Sequence, residues 1–132
     1  MPENSRQVVE FYPLPSGMKL PFSEAVRVGS MLYLSGQMGI DESGRLVPGG
    51  IEAETRQILT NVRAVLERHG SAMDRVVKCL VMLADIADWP AMNRVYLEYF
   101  TAPLPARSAF GANGLALGGR VEIEVVAVTG ER

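Results

Sequence analysis

The feature that most constrains the fold is a short stretch, residues 76–84, that is apolar at nearly every position. Its Val and Leu residues favour a β-strand, and the lack of polar alternation indicates that both faces of the strand are covered. Only two segments of the chain show helical periodicity, and two helices cover only one face of a sheet of about four or five strands. The second face is therefore expected to meet another subunit.

The spacing of apolar residues and turn signals predicts the other elements. One helix is predicted over residues 51–69 and is ended by Gly70, which suits a left-handed C-cap. A second helix follows Asp88 as its expected N-cap, with Pro90 in the first turn. Its apolar stripe, which includes Trp89 and Tyr96, is expected to be buried in the core. Extended segments are predicted at residues 8–12, 25–35 (a hairpin), 76–84, 107–112 and 121–128. The resulting order, β-β-β-α-β-α-β-β, predicts an α+β fold formed by one domain over residues 1–132.

Charge and hydropathy exclude several classes of partner. Thirteen Lys and Arg residues against fifteen Asp and Glu residues give a net charge of −2, and no basic stripe is present to bind a phosphate backbone. We therefore expect no nucleic-acid partner. No apolar stretch approaches the ~20 residues that span a bilayer, so no membrane partner is expected. The N-terminal segment has no export signal, which predicts a cytoplasmic protein.

Residue counts also limit the available chemistry. The chain has one Cys, Cys79, and one His, His69, so it can form neither an intrachain disulfide nor a metal site built on Cys and His clusters. Cys79 lies inside an apolar run, which disfavours a Cys-His nucleophile pair. No phosphate-binding glycine motif is present. The sequence thus gives no support to thiol chemistry, to a zinc site of the Cys and His type or to a nucleotide cofactor.

Arg107 is a candidate ligand-binding residue. It follows Pro105 and opens a predicted strand, so its planar fork of donors would lie at a strand end, where it could bind a carboxylate through two hydrogen bonds. An ion pair, either on the surface or between subunits, is the simpler explanation of the same residue. Spacing alone leaves both interpretations open.

Glu122 and Glu124 are candidates for acid-base chemistry. Strand alternation places both carboxylates on one face, while Val121, Ile123 and Val125 occupy the other. If the apolar face packs on the helices, the carboxylates point toward the expected subunit interface, where partial burial would raise a carboxyl pKa. The alternative is a solvated face with no chemistry.

Three further residues stand where a ligand could bind. Ser35 and Gly36 follow the second hairpin strand and offer a hydroxyl and a backbone N–H that a ligand can approach closely. A simple strand-ending turn accounts for them as well. Asn93 lies among apolar neighbours in the second helix, where its amide needs hydrogen-bond partners. A structural amide that is satisfied within the fold is the commoner explanation of such a residue.

Several segments taken together resemble one family, the YjgF/RidA reactive intermediate deaminases. The matching motifs are LSGQ, NVRAVLERHG, NRVYLEYF, PARS and VEIE, which occur in this order and span about residues 18 to 128. The resemblance implies a chorismate-mutase-like fold with two helices packed on one face of the sheet. It also implies a homotrimer with a central barrel and ligand sites between subunits.

The resemblance further implies an activity and the residues that perform it. Family members hydrolyse enamines and imines of small 2-imino acids to 2-keto acids and ammonia, without cofactor or metal. By motif position, Arg107 corresponds to the arginine that holds the substrate carboxylate, and Glu122 to the glutamate that positions the attacking water. Ser35, Gly36 and Asn93 match other substrate-binding positions.

The chain departs from the family pattern at the edge of the implied pocket. Leu20 and Phe22 stand where Gly and Tyr are common, so an aromatic wall remains without its hydroxyl. Ala109 stands where many members have Cys or Thr, which removes a polar group from the substrate-binding set. These differences leave carboxylate binding intact but make a larger or less polar substrate plausible.

Two other functions are compatible with the same motifs. The altered pocket would suit a noncatalytic trimer that binds a carboxylate metabolite or a partner protein. Some family members are also described as endoribonucleases, an activity that the acidic net charge of this chain disfavours.

Overall fold

A six-stranded mixed sheet organises the protein. The computed structural model describes residues 8–130, and the strands occur in the spatial order β1-β2-β3-β6-β4-β5. All neighbouring pairs are antiparallel except β4 and β5, which are parallel. The strands are β1 (Val9–Tyr12), β2 (Ala25–Val28), β3 (Met31–Leu34), β4 (Val76–Leu83), β5 (Ala106–Gly111) and β6 (Val121–Val128). The predicted order of elements is confirmed.

Two helices, α1 (Gly50–Arg68) and α2 (Trp89–Tyr99), pack on one face of this sheet. The apolar stripe of α1 is buried from Ile58 onward, and it meets the alternate residues of β4 and β6 that point toward the helices, including Val81 and Ile123. Gly70 has φ +82°, the left-handed conformation that ends α1 as expected. The predicted α+β fold with both helices on one face is confirmed.

The other face of the sheet carries no element of this chain and is rich in exposed apolar groups. Phe11, Tyr33 and Phe110 lie on this open face and keep 68%, 46% and 46% of their surface exposed. Leu80 and Met82 of β4 lie between them, partly buried. The apolar character of residues 76–84 on both faces therefore has its covering layer on one side only, and the expected subunit contact on the other side remains a prediction.

The start of α2 differs in detail from the expectation. Asp88 occupies the N-cap position, but its side chain caps no backbone amide and instead accepts a hydrogen bond from Arg120. Asp85 has the capping role for the preceding turn, because its carboxylate accepts a hydrogen bond from the amide of Ala87. Trp89, expected in the buried stripe, is 40% exposed because it lies at the first position of the helix.

The described part of the chain, residues 8–130, contains no helix long and apolar enough to cross a bilayer. The N-terminal segment, which is expected to carry no export signal, lies mostly in residues 1–7, outside the described residues.

A buried carboxylate ties the C-terminal end of α1 to the loop before β2. Glu24 is 5% exposed and accepts hydrogen bonds from Arg68 Nη2 at 2.6 Å and His69 Nε2 at 2.7 Å. The ring of Tyr12 stacks on His69 with 4.1 Å between centroids. Burial alone would raise the pKa of Glu24, but the bonds from Arg68 and His69 outweigh it and hold that pKa below its usual value.

We expect Glu24→Gln to destabilise the fold by about 1.5 to 3 kcal/mol at neutral pH, since it weakens two charge-assisted hydrogen bonds in a buried setting. Because the folded pKa is lowered, this stabilisation is present above the unfolded pKa of about 4.3 and is lost as the pH falls through the folded pKa. Urea unfolding of the wild type and the variant, at pH 7 and in acid, measures this difference in the free energy of unfolding. Glu10→Gln, which weakens the more exposed and solvent-screened pair with Arg27, is the control and should cost clearly less than Glu24→Gln. Equal losses in the two variants would contradict the prediction.

Candidate active site

Arg107 lines a cavity between α2 and the start of β5. The cavity has a volume of about 350 Å³, and its walls are Asn93, Tyr96, Leu97, Leu104, Pro105 and Arg107. Pro105 directly precedes β5, so Arg107 occupies the second position of an edge strand, with α2 on its side of the sheet. The cavity is therefore a mainly apolar groove with one guanidinium at its wall.

The charge of Arg107 is not compensated by a carboxylate among residues 8–130. Its Cζ instead lies 4.7 Å from the ring centroid of Tyr96, within the range of a cation-π contact. The ion-pair interpretation thus finds no partner within the described chain. A guanidinium that is partly buried and free of carboxylates is suited to bind an anionic ligand.

Asn93 contributes an amide to the same cavity. Its position on α2 is one helical turn before Tyr96, so both side chains project from the same side of the helix. The Oδ1 atom of Asn93 is buried, and no hydrogen bond to it is formed by the described residues. A buried acceptor without a donor is uncommon in folded proteins and suits a group that is completed by a ligand or a neighbouring subunit.

Glu122 lies on the open face and touches Gly36. A Cβ added to Gly36 would lie 2.1 Å from Glu122 Oε2, so the carboxylate occupies the space that only a glycine leaves. The backbones also meet, because Gln37 and Ile123 exchange two hydrogen bonds, at 2.8 and 3.1 Å. The sequence-predicted residues Gly36 and Glu122 are therefore brought together.

Burial raises the pKa of Glu122, and repulsion from the nearby Glu124 raises it further. Glu122 lies beside Met82 of β4, in a partly buried setting, whereas Glu124 is exposed. A carboxylate with a raised pKa takes a proton more readily at neutral pH than an ordinary one. The predicted placement of both carboxylates away from the helices is confirmed.

Ser35 connects this region to the loop that carries Phe22. The hydroxyl of Ser35 donates to the carbonyl of Ser23 at 2.7 Å, and its amide donates to the carbonyl of Glu24 at 3.1 Å. Phe22, directly before Ser23, is 49% exposed, and so is the Leu20 side chain. An exposed aromatic side chain therefore stands next to the Ser35 and Gly36 segment.

Arg107 and Glu122 lie on opposite faces of the sheet. Arg107 is in register with Cys79, which is fully buried under the helices, whereas Glu122 is in register with Met82. Cys79 and Met82 are three positions apart in one strand, so their side chains point to opposite faces. One small ligand cannot contact both groups within a single copy of the chain.

The cavity also contains residues that the sequence did not single out. Tyr96, Leu97, Leu104 and Pro105 line it, and Tyr96 was expected only as part of the core. Its spacing of three from Asn93 on a helix is the signal that could have identified it. Ala109 lies on the same face as Arg107, packs against the core and is not among the lining residues.

Within residues 8–130, no group of three or more His, Cys, Asp or Glu side chains is close enough to hold a metal ion. Cys79 is fully buried, and burial raises the pKa of its thiol, which keeps it protonated.

We expect Gly36→Ala to fold normally but to displace the Glu122 carboxylate. The three close contacts of the added Cβ are all side-chain atoms of Glu122, which can rotate away. A displacement of about 1 Å in a catalytic group can lower a rate about 100-fold. The test is a double-mutant cycle on the rate of the reaction that the motifs predict: Gly36→Ala should have little further effect in a Glu122→Gln background. Additive losses would show that Gly36 acts independently of Glu122.

Comparison with known proteins places the chain in one family. Its residues 16–129 match the family model described as Endoribonuclease L-PSP. The chain is 45% identical over 126 residues to the goat (Capra hircus) 2-iminobutanoate/2-iminopropanoate deaminase, covering 95% of this chain and 91% of the relative. It is 44% identical to the protein of the same name from cattle (Bos taurus), with the same coverage.

Solved structures agree with this assignment. A protein of the conserved Rid family from Yersinia pestis is 35% identical and superposes with a TM-score of 0.86, covering 92% of this chain and 100% of that protein. The family that the sequence motifs predict is confirmed by the family model, the relatives and this structure. The chain belongs to the Endoribonuclease L-PSP family, which is the YjgF/RidA family of its motifs.

Proposed function

We propose that this protein hydrolyses enamine and imine forms of small 2-imino acids to 2-keto acids and ammonia, without metal or cofactor. The deaminase names of the goat and cattle relatives support the activity that the motifs predict. The observation that carries the proposal is the Arg107 guanidinium, which lines a cavity and has no carboxylate partner among the described residues. A free fork of donors is what a 2-imino acid requires at its carboxylate.

In this mechanism Arg107 binds the substrate carboxylate and fixes the adjacent imine carbon. Glu122 holds a water molecule and accepts one of its protons as the oxygen attacks the protonated imine. The tetrahedral carbinolamine then collapses. Glu122 returns its proton to the nitrogen, and the carbon-nitrogen bond breaks to release ammonia. The free Glu122 carboxylate takes up the hydroxyl proton as the carbonyl of the 2-keto acid forms, and that proton passes to the departing ammonia as ammonium. Positioning supplies most of the acceleration, because the imine is reactive on its own.

The site is formed between two copies of the chain in a homotrimer with a central barrel. The opposite orientation of Arg107 and Glu122 supports this arrangement, since one copy cannot direct both groups at one small substrate. Phe11, Tyr33 and Phe110 on the open face support an apolar contact between sheets. Ser35, Gly36 and Phe22 belong to the half of the site that carries Glu122, and Asn93 and Ala109 to the half that carries Arg107.

The activity test is the release of 2-keto acid from imine generated in place by an amino-acid dehydratase acting on threonine or serine. We expect the purified protein to accelerate this release above the spontaneous rate, and sedimentation at micromolar concentration to give the mass of a trimer. No acceleration would overturn the deaminase assignment, and a monomeric mass would overturn the shared site.

Subunit complementation tests the shared site directly. Arg107→Ala and Glu122→Gln chains, each inactive alone, are mixed and refolded together. If each site takes Arg107 from one copy and Glu122 from another, about a quarter of the sites in a random trimer mixture contain both groups. Activity should then return to about that fraction of wild type. A site contained in one chain would give no recovery.

A noncatalytic carboxylate-binding trimer is the alternative. It predicts calorimetric binding of 2-keto acids with no imine consumed, so calorimetric titration and the keto-acid release assay together separate it from the enzyme.

We further propose that the protein is cytoplasmic and that residues 1–132 form one domain, both on the grounds of the sequence. The net charge of −2 gives no support to ribonuclease activity.

A further inference from the structure

We propose that Tyr96 is a positioning residue for Arg107, whose guanidinium it holds by a cation-π contact so that the donors remain free for the substrate carboxylate. This inference rests on the proposed function and concerns a residue to which the motif comparison assigns no role.

The geometry provides a rigid aromatic support under a flexible cation. Arg107 Cζ lies 4.7 Å from the Tyr96 centroid. Tyr96 is 4% exposed, and its ring packs against Phe100 with 4.6 Å between centroids and an angle of 37° between the planes. Since the ring is fixed on α2, its face provides a constant surface for Arg107 on the neighbouring edge strand.

An aromatic ring suits this task better than a carboxylate. A carboxylate partner would hold the guanidinium through the same N–H donors that the substrate needs, whereas a ring attracts the cation from its face and leaves the edge donors unused. Most other arginines with a described partner pair with Glu or Asp, as Arg56 does with Glu98. Arg107 lines the cavity and pairs with a ring only, among the described contacts.

The proposed role belongs to the ring of Tyr96 and not to its hydroxyl. Burial raises the pKa of Tyr96 and the Cys79 thiol adds to this effect, while the nearby Arg107 guanidinium offsets only part of it, so the phenol is neutral at physiological pH. Although that thiol is close enough to influence the pKa, no described group meets the geometry of a hydrogen bond to the hydroxyl. The ring alone should therefore be sufficient, and Tyr96→Phe should keep the KM of the wild type.

The experiment compares rings of equal shape and different charge distribution. Phenylalanine and pentafluorophenylalanine are placed at position 96, and steady-state kinetics are measured with dehydratase-generated imine. Fluorination removes the attraction of the ring face for a cation but keeps the fold. We expect KM to rise about 3- to 30-fold with pentafluorophenylalanine, while kcat changes little. Tyr96→Leu should raise KM similarly, and Tyr99→Leu is its control.

Tyr99 is a matched control because it lies on the same helix, and Arg63 Cζ is 5.4 Å from its centroid, outside the cavity. It should leave KM unchanged. Calorimetric titration with 2-oxobutanoate gives a readout that needs no turnover. The Kd should stay near the wild-type value with phenylalanine at position 96 and rise with pentafluorophenylalanine or leucine, as KM does. A KM and Kd for pentafluorophenylalanine within twofold of phenylalanine would overturn the role of Tyr96. An inactive wild type would instead overturn the proposed function, while the Kd comparison would still test Tyr96.

Discussion

Replacing Arg107 by alanine should lower kcat/KM for imine hydrolysis at least about 100-fold while the protein remains folded. Two charge-assisted hydrogen bonds to the substrate carboxylate are lost, each contributing about 1.5 to 3 kcal/mol. The side chain is partly exposed at the end of an edge strand and its removal leaves no unpaired carboxylate among the described residues. The fold should therefore tolerate the change. Keto-acid release and circular dichroism measure the two effects.

The conservative variant makes this prediction sharper. Arg107→Lys keeps the charge but replaces a planar fork by a single ammonium, so we expect a loss of at least about tenfold. Arg63→Ala is the matched control, since Arg63 also lies over a tyrosine but outside the cavity. It should retain wild-type activity. Full activity in Arg107→Ala would remove the basis for carboxylate binding at this position.

Replacing Glu122 by glutamine should lower kcat about 100- to 10,000-fold, because the amide has the same shape but accepts no proton from water. In the wild type, activity should fall as the pH drops through the raised pKa of Glu122, when the base becomes protonated. The variant should lack this decrease, which is the acid limb of the pH–rate profile. Rates from pH 5 to 9, with the imine-generating enzyme in excess and the spontaneous rate subtracted, measure both effects.

The same substitution has an opposite effect on stability. A folded pKa above the unfolded value means that ionising Glu122 opposes folding, and this cost develops as the pH rises above about 4.3. Glu122→Gln should therefore unfold at a higher temperature than the wild type at pH 7, and the difference should vanish in acid. A less stable variant at pH 7 would show that the ionised carboxylate is held by favourable contacts.

Glu124→Gln is the control for both measurements on Glu122. Glu124 is the more exposed neighbour, whose charge helps to raise the pKa of Glu122. Its replacement should keep kcat near the wild-type value and move the acid limb to lower pH. An acid limb that stays in place would mean that burial alone sets the pKa of Glu122.

The elements and their order could be predicted from the sequence because they depend on local periodicity. The apolar stripe of α1 and the alternation in β6 indicate which side of each element meets the core. The left-handed Gly70 marks the end of α1. The two-sided apolar pattern of β4 also predicted a second covered face, which the chain itself leaves open. Local errors fell at the start of α2, where Asp88 pairs with Arg120, a distant residue that spacing does not reveal.

The candidate residues, but not their arrangement, came from the sequence. Motif position identified Arg107 and Glu122 separately, and nothing in either motif gives the register between β4, β5 and β6. Only the tertiary structure placed the two residues on opposite faces and set Tyr96 under Arg107. The physical reason is that side-chain direction within a strand follows a period of two, whereas the faces of different strands are related only by their pairing. The sequence by itself determined which groups are present, and the pairing of strands decided which of them can act together.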